Sequence, residues 1–149
     1  MILLNIILIL LASTADAIMD TISSHFPISI FSNIREWKIL SKWKLQNKLK
    51  LYNWINPYYS WRNKWKNGKK EDGEKFLGSS TIFVFVTDAW HFMQFIQLNT
   101  LFIFAFTFYD FKESFLFNLL YLSLYRVIYG TWFTWLNDYK LVKRKLWIK

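Results

Sequence analysis

The 149-residue chain is 54% hydrophobic and 21% aromatic, and its 19 Lys and Arg against 10 Asp and Glu give a net charge of +9. A chain of this size can hardly bury so much Phe, Trp, Leu and Ile in a water-soluble core, so the expected fold is an all-α integral membrane protein. No cysteine is present, which excludes disulfides, Fe–S clusters, thiolate zinc sites and a cysteine nucleophile.

Taken in chain order, residues 2–22 form a first apolar run, long enough to cross a bilayer. It also fits a secretory signal, because Ala15-Asp16-Ala17 has the small-x-small pattern of a cleavage site. Two features favour an uncleaved span. No Lys or Arg precedes the apolar run, and the segment that follows is strongly basic, a property of loops that stay in the cytoplasm. Asp16 and Asp20 are four residues apart, hence on one helical face.

Residues 33–78 make a basic, aromatic segment, expected to be helical over 33–54 and a polar loop over 56–78. Asn56-Pro57, Asn67-Gly68, Gly73 and Gly78 supply the turn signals of that loop. Within it Trp61, Arg62, Lys64, Trp65 and Lys66 alternate rings and cations. Such a mixture suits anionic lipid headgroups, with tryptophan as the interfacial anchor. A protein partner ranks second, and nucleic acid, by stacking and phosphate contacts, last.

A second span is expected over residues 80–109 and a third over 114–136, with the short connector 110–114 making them an antiparallel hairpin. The second has two readings. Ser79 or Ser80 caps one long helix of about 45 Å, or Asp88 caps a helix of about 31 Å. The long helix is favoured, because an extended stretch over 81–87 would expose unpaired backbone to lipid. The tail, 137–149, is basic. With both basic stretches on one side, the N-terminus lies outside and the C-terminus in the cytoplasm.

Ionisable residues at membrane depth need a partner or a purpose. Arg126 falls near the middle of the third span, level with Gln97, and a snorkelling arginine reaches Asp16. Asp16, Gln97 and Arg126 therefore make a candidate polar network that fixes helix packing. Asp20, His25, Asp88 and His91 fall near the cytoplasmic surface and make a candidate site for a divalent transition metal, able to activate water for hydrolysis of a lipid headgroup. The plainer reading has Asp88 as a helix cap, His91 as an interfacial hydrogen-bonding group, and Asp16 and Asp20 as counter-charges to the basic loop. No phosphate loop, nucleophile elbow or kinase motif is present.

The stretch Asn56-Pro-Tyr-Tyr-Ser-Trp-Arg-Asn-Lys-Trp-Lys-Asn-Gly68, followed by Phe76-Leu-Gly-Ser-Ser-Thr81 and Thr87-Asp-Ala-Trp-His91, resembles a group of small, uncharacterised bacterial and phage integral membrane proteins. The upstream region from Ala17-Ile-Met-Asp20 to Phe26 is similar to the same group, and the resemblance covers roughly a third of the chain. It implies no catalytic roles. It does imply that the patterned residues are the polar loop and the Asp/His pairs rather than the basic tail.

The leading expectation is a non-enzymatic protein of the lipid bilayer that binds anionic headgroups, a membrane protein partner or a second copy of itself. The alternative is an intramembrane metal-dependent hydrolase. A third reading is a phage-type pore or lysis factor, which the long cytoplasmic loop fits poorly.

Overall fold

The computed structural model describes residues 2–36, 40, 42, 44–109 and 115–137. The basic tail from 138 onward, the connector 110–114 and Trp37, Lys38 and Trp43 of the expected 33–54 helix lie outside the described residues.

Three long helices form the body: α1 (Ile2–Ser24), α4 (Ala89–Tyr109) and α5 (Phe115–Asn137). Between α1 and α4 lie two shorter ones, α2 (Leu45–Ile55) and α3 (Pro57–Ser60), and a series of 3-10 turns. α1 is the central element, packed against both α4 and α5. The hydrogen bonds give the directions. Thr107, near the end of α4, meets Asn5, near the start of α1, so these two helices are antiparallel. Asp16 meets Tyr125 and Asp20 meets Tyr129, so α1 and α5 climb together.

α1 is helical because it is a run of Ile, Leu and Ala with no charge before Asp16. Its hydroxyls are absorbed by its own backbone. Ser13 donates to the Ile9 carbonyl at 2.7 Å and Thr14 to the Leu10 carbonyl at 2.6 Å. It stops at Ser24, where Pro27 opens a 3-10 turn, Phe26–Ile28. One side of α1 is buried in the bundle through Leu8, Ile9, Ala12 and Ala15. The other leaves Ile2, Leu3, Leu4, Ile7, Leu10 and Leu11 exposed.

The hydrophobic core gathers at the C-terminal end of α1. There Ile22, Phe26, Ile30 and Ile34 pack with Ile55 of α2, Ala89 at the start of α4 and Leu136 at the end of α5. Arg35 closes this knot from outside, its guanidinium 3.9 Å from the centre of the Tyr52 ring.

The expectation of three transmembrane helices is corrected. Among the described residues, one helix, Ile2–Ser24, is long and apolar enough to cross a membrane. Over their described residues the other two do not combine that length and hydropathy. α4 is broken up by His91, Gln94, Gln97 and Asn99, and α5 by Arg126, several tyrosines and Asn137. Asn99 and Arg126 are exposed on the outer surfaces of their helices, where lipid would leave them costly to solvate.

The long helix from Ser79 does not form either. Residues 79–88 run through turns and the 3-10 segment Val84–Val86, and α4 begins after Asp88. Asp88 accepts the His91 N–H at 3.0 Å, which is an N-cap bond. The backbone of the preceding stretch is satisfied by turn hydrogen bonds such as Phe83 N–H to Gly78 at 2.8 Å, so no extended strand is left unpaired.

Candidate functional site

The segment between α2 and α4 is shaped by local rules. Asn56 is buried, and its side-chain oxygen accepts the Tyr58 N–H at 2.9 Å, capping α3 with Pro57 in the first turn. A small antiparallel loop follows. Lys75 donates to Lys64 at 2.9 Å and Lys66 to Gly73 at 3.0 Å, with Trp65 bridged to Glu74. At its tip Asn67 and Gly68 both take positive φ, 51° and 72°. These are the residue types that tolerate the left-handed region, which is why Asn67-Gly68 is legible as a turn.

Glu74 then organises the next turn. Its carboxylate accepts the Gly78 N–H at 2.9 Å, the Ser80 N–H at 3.1 Å and the Ser80 hydroxyl. The Ser80 hydroxyl first, then the two N–H groups, hold this carboxyl below its ordinary range. Ser79, fully buried, donates to the Lys64 carbonyl at 2.7 Å and ties the turn back to the loop. Two further bonds tie the segment to the head of α4. Asn63 donates to the Thr87 carbonyl at 3.0 Å and Trp54 to the Val86 carbonyl at 3.2 Å.

On this frame the aromatic and basic residues are displayed unequally. Trp61, Arg62 and Lys66 are exposed, whereas Lys64 and Trp65 are half-buried. The Arg62 guanidinium lies 5.5 Å from the Trp61 ring and 5.9 Å from the Tyr59 ring, within the range of a cation–π contact. Over residues 61–75 six basic residues face three acids, and one of those acids, Glu74, is spent on the backbone. The surface is therefore positive. The sequence singled out Trp61 to Lys66. It did not single out Leu77, Ile82 and Phe83, which stand exposed on the neighbouring turn. No periodicity marks them, and only their exposure does.

The candidate polar network has a different middle member. Asp16 accepts the Tyr125 hydroxyl at 2.8 Å, and Gln97 donates to the same oxygen at 3.2 Å, so three helices meet at one phenol. Arg126, one residue on, points outward, and among the described residues no carboxylate lies within ion-pair distance of it. The phenol reaches Asp16 from a helix face that the neighbouring arginine does not share, since adjacent residues on a helix point about 100° apart.

The metal site is corrected. Among the described residues no group of three or more His, Cys, Asp or Glu side chains could hold an ion. Three of the four candidates are hydrogen-bonded elsewhere, and the fourth, His25, has a buried Nδ1 with no hydrogen-bond partner among the described residues. Asp20 accepts the Tyr129 hydroxyl at the α1–α5 interface. His25 sits edge-on to Phe133, ring centres 5.0 Å apart. Asp88 and His91 pair with each other, Nδ1 lying 2.8 Å from both carboxylate oxygens. Asp88 is 3% exposed and serves at once as cap and as the anchor of the imidazole. Proximity in sequence and in height along the bundle did not bring the two Asp/His pairs together.

Comparison with family models, with curated proteins and with solved structures returned no match.

Proposed function

We propose that the protein is a membrane-anchored surface-binding protein. α1 enters the bilayer, and the basic, aromatic segment after α3 binds anionic headgroups beside the point of entry. The observation that carries this reading is the shared display of Trp61 and Arg62 on one exposed surface, fastened to the head of α4. α4 is antiparallel to α1, so this surface stands at the C-terminal end of α1. An interfacial ring and a cation held side by side match the two layers of a headgroup region. In this reading the N-terminus is outside, and the basic surface is on the cytoplasmic side, where positive loops are retained. The exposed side of α1, with Ile2, Leu3, Leu4, Ile7, Leu10 and Leu11, faces acyl chains.

The test uses the full chain in lipid nanodiscs, with one cysteine introduced at Lys70 and coupled to an environment-sensitive dye. Adding phosphatidylglycerol to phosphatidylcholine discs is expected to shift the dye emission to the blue, and high salt to reverse the shift. Each basic residue near such a surface contributes about 1 kcal/mol, so Arg62→Glu with Lys66→Glu abolishes the response. An emission that ignores both lipid charge and salt rejects the reading.

A further inference from the structure

The turn that follows the basic loop presents an apolar tip that stands largely exposed. Leu77 is 90% exposed and Ile82 75% exposed, with Phe76 and Phe83 beside them. Isolated exposed apolar residues are ordinary, but a contiguous patch rimmed by cations marks a binding surface. The patch is contiguous. A Cβ placed on Gly78 would lie 3.2 Å from the Phe83 ring and 3.7 Å from Ile82, so both side chains fold over the glycine that follows Leu77. The loop it adjoins is basic, with six Lys and Arg against three acids over 61–75, and the Lys64 carbonyl accepts from both Lys75 and Ser79, which holds loop and turn together.

The tip is also held in place. Gly78 takes φ +75°, a conformation that L side chains rarely adopt, and Glu74 accepts both N–H groups that flank Ser79. A turn fixed in this way presents Leu77 with little backbone freedom left to lose on binding, which is the advantage of preorganisation.

We infer that the Phe76–Phe83 turn is a wedge that inserts between the acyl chains of the bilayer that α1 enters. The inference rests on the surface-binding reading above and deepens it: the cations hold the headgroups and the wedge passes below them. A bilayer is favoured over a protein partner by two features. The adjoining loop is positive, with six basic residues against three acids over 61–75, and the bonds from Asn63 and Trp54 to the head of α4 keep the turn at the end of α1.

The chain lacks cysteine, so a nitroxide on Leu77→Cys reports one site. In full-length protein in phosphatidylglycerol-containing nanodiscs, the label is expected to be more accessible to oxygen than to a water-soluble nickel complex. A label on Lys66→Cys is expected to show the reverse order, as in the headgroup layer. If the Lys66 label lies in the headgroup layer and the Leu77 label lies in water, the wedge is overturned and surface binding stands. Both labels in water overturn both. Dipolar broadening between Leu77 labels places a second copy on the patch and also overturns the wedge. Glu74→Ala releases the turn and is expected to raise the nickel accessibility of the Leu77 label; an unchanged value removes Glu74 from the device.

Discussion

Polar side chains hold two parts of this molecule together, and they do so in opposite ways. In the three-helix body they join side chain to side chain across great sequence distances. Asn5 meets Thr107, 102 residues on, Asp16 meets Tyr125 and Asp20 meets Tyr129, each 109 on, and Thr21 meets Asn137, 116 on. In the segment before α4 they join side chain to backbone over short ones. Asn56 reaches Tyr58, Glu74 reaches Gly78 and Ser80, and Asp88 reaches His91. The first pattern selects one packing register of helices that would otherwise slide on apolar faces. The second makes a loop stiff without a sheet or a core. The first determines which helix lies where, and the second what the surface looks like.

The largest effect is expected where one buried side chain bonds both to backbone and to another side chain. Asp88 is buried, caps α4 and anchors His91. Asp88→Ala leaves the His91 N–H and Nδ1 without an acceptor. A lost cap and a lost bond to a charged group together cost about 2–3 kcal/mol. Asp88→Asn keeps the cap and is expected to recover about 1 kcal/mol of that loss. Chemical denaturation of the reconstituted protein measures both, and faster hydrogen exchange confined to the first turn of α4 locates the damage. A loss for Asp88→Ala no greater than that of an exposed site would mean that the loop, not the cap, sets where α4 begins.

Next in size is the three-helix junction. A double-mutant cycle of Asp16→Ala and Tyr125→Phe is expected to give a coupling of about 1 kcal/mol, the usual scale for a side-chain hydrogen bond. Gln97→Leu is expected to weaken that coupling, because Gln97 donates to the same phenol. Additive losses would show that the junction does not hold the register of α1 against α5.

This junction also shows what the sequence makes legible. The shared face of Asp16 and Asp20 is visible, because a spacing of four places both on one side of any helix. Their partners are not. Tyr125 and Tyr129 have the same spacing, but in a helix so rich in aromatic residues two tyrosines carry no signal of their own. The charge of Arg126 drew attention to a residue whose side chain faces outward. Turns were easier to read than spans. Asn67-Gly68 and Gly78 announce positive φ. By contrast, α4 and α5 read as crossing helices even with their amides, imidazole and arginine in view, and among the described residues one helix, α1, combines the length and hydropathy of a span. The metal site failed for a related reason: equal depth places residues on one ring around the bundle, not on one side of it.

A smaller effect is expected in the loop, at Glu74. Hydrogen bonds from Ser80 and Gly78 place its folded pKa below the ordinary value of 4.5. A lowered carboxyl contributes stability above the unfolded pKa and loses it as pH falls through the folded one. The turn is therefore expected to be held at neutral pH and to loosen only below pH 4.5. Hydrogen exchange at the Gly78 and Ser80 amides, corrected for intrinsic rates, reads the change, and Glu74→Gln removes its pH dependence. Protection that fades above the ordinary carboxyl range would assign the transition to another group.

The smallest effect sharpens the contrast most. Arg126 sits one residue from the phenol that joins three helices, yet it is exposed and lies within ion-pair distance of no carboxylate among the described residues. Substitutions at such positions usually fall within about 0.5 kcal/mol of neutral. Arg126→Leu is thus expected to leave stability unchanged, and a cycle with Asp16→Ala to be additive, while Tyr125→Phe in the same background is not. A coupling between Arg126 and Asp16 as large as that of Tyr125 would put the guanidinium inside the bundle and reverse the assignment. The outcome separates two ways in which α5 can face α1, rotated by about one residue or 100° from each other.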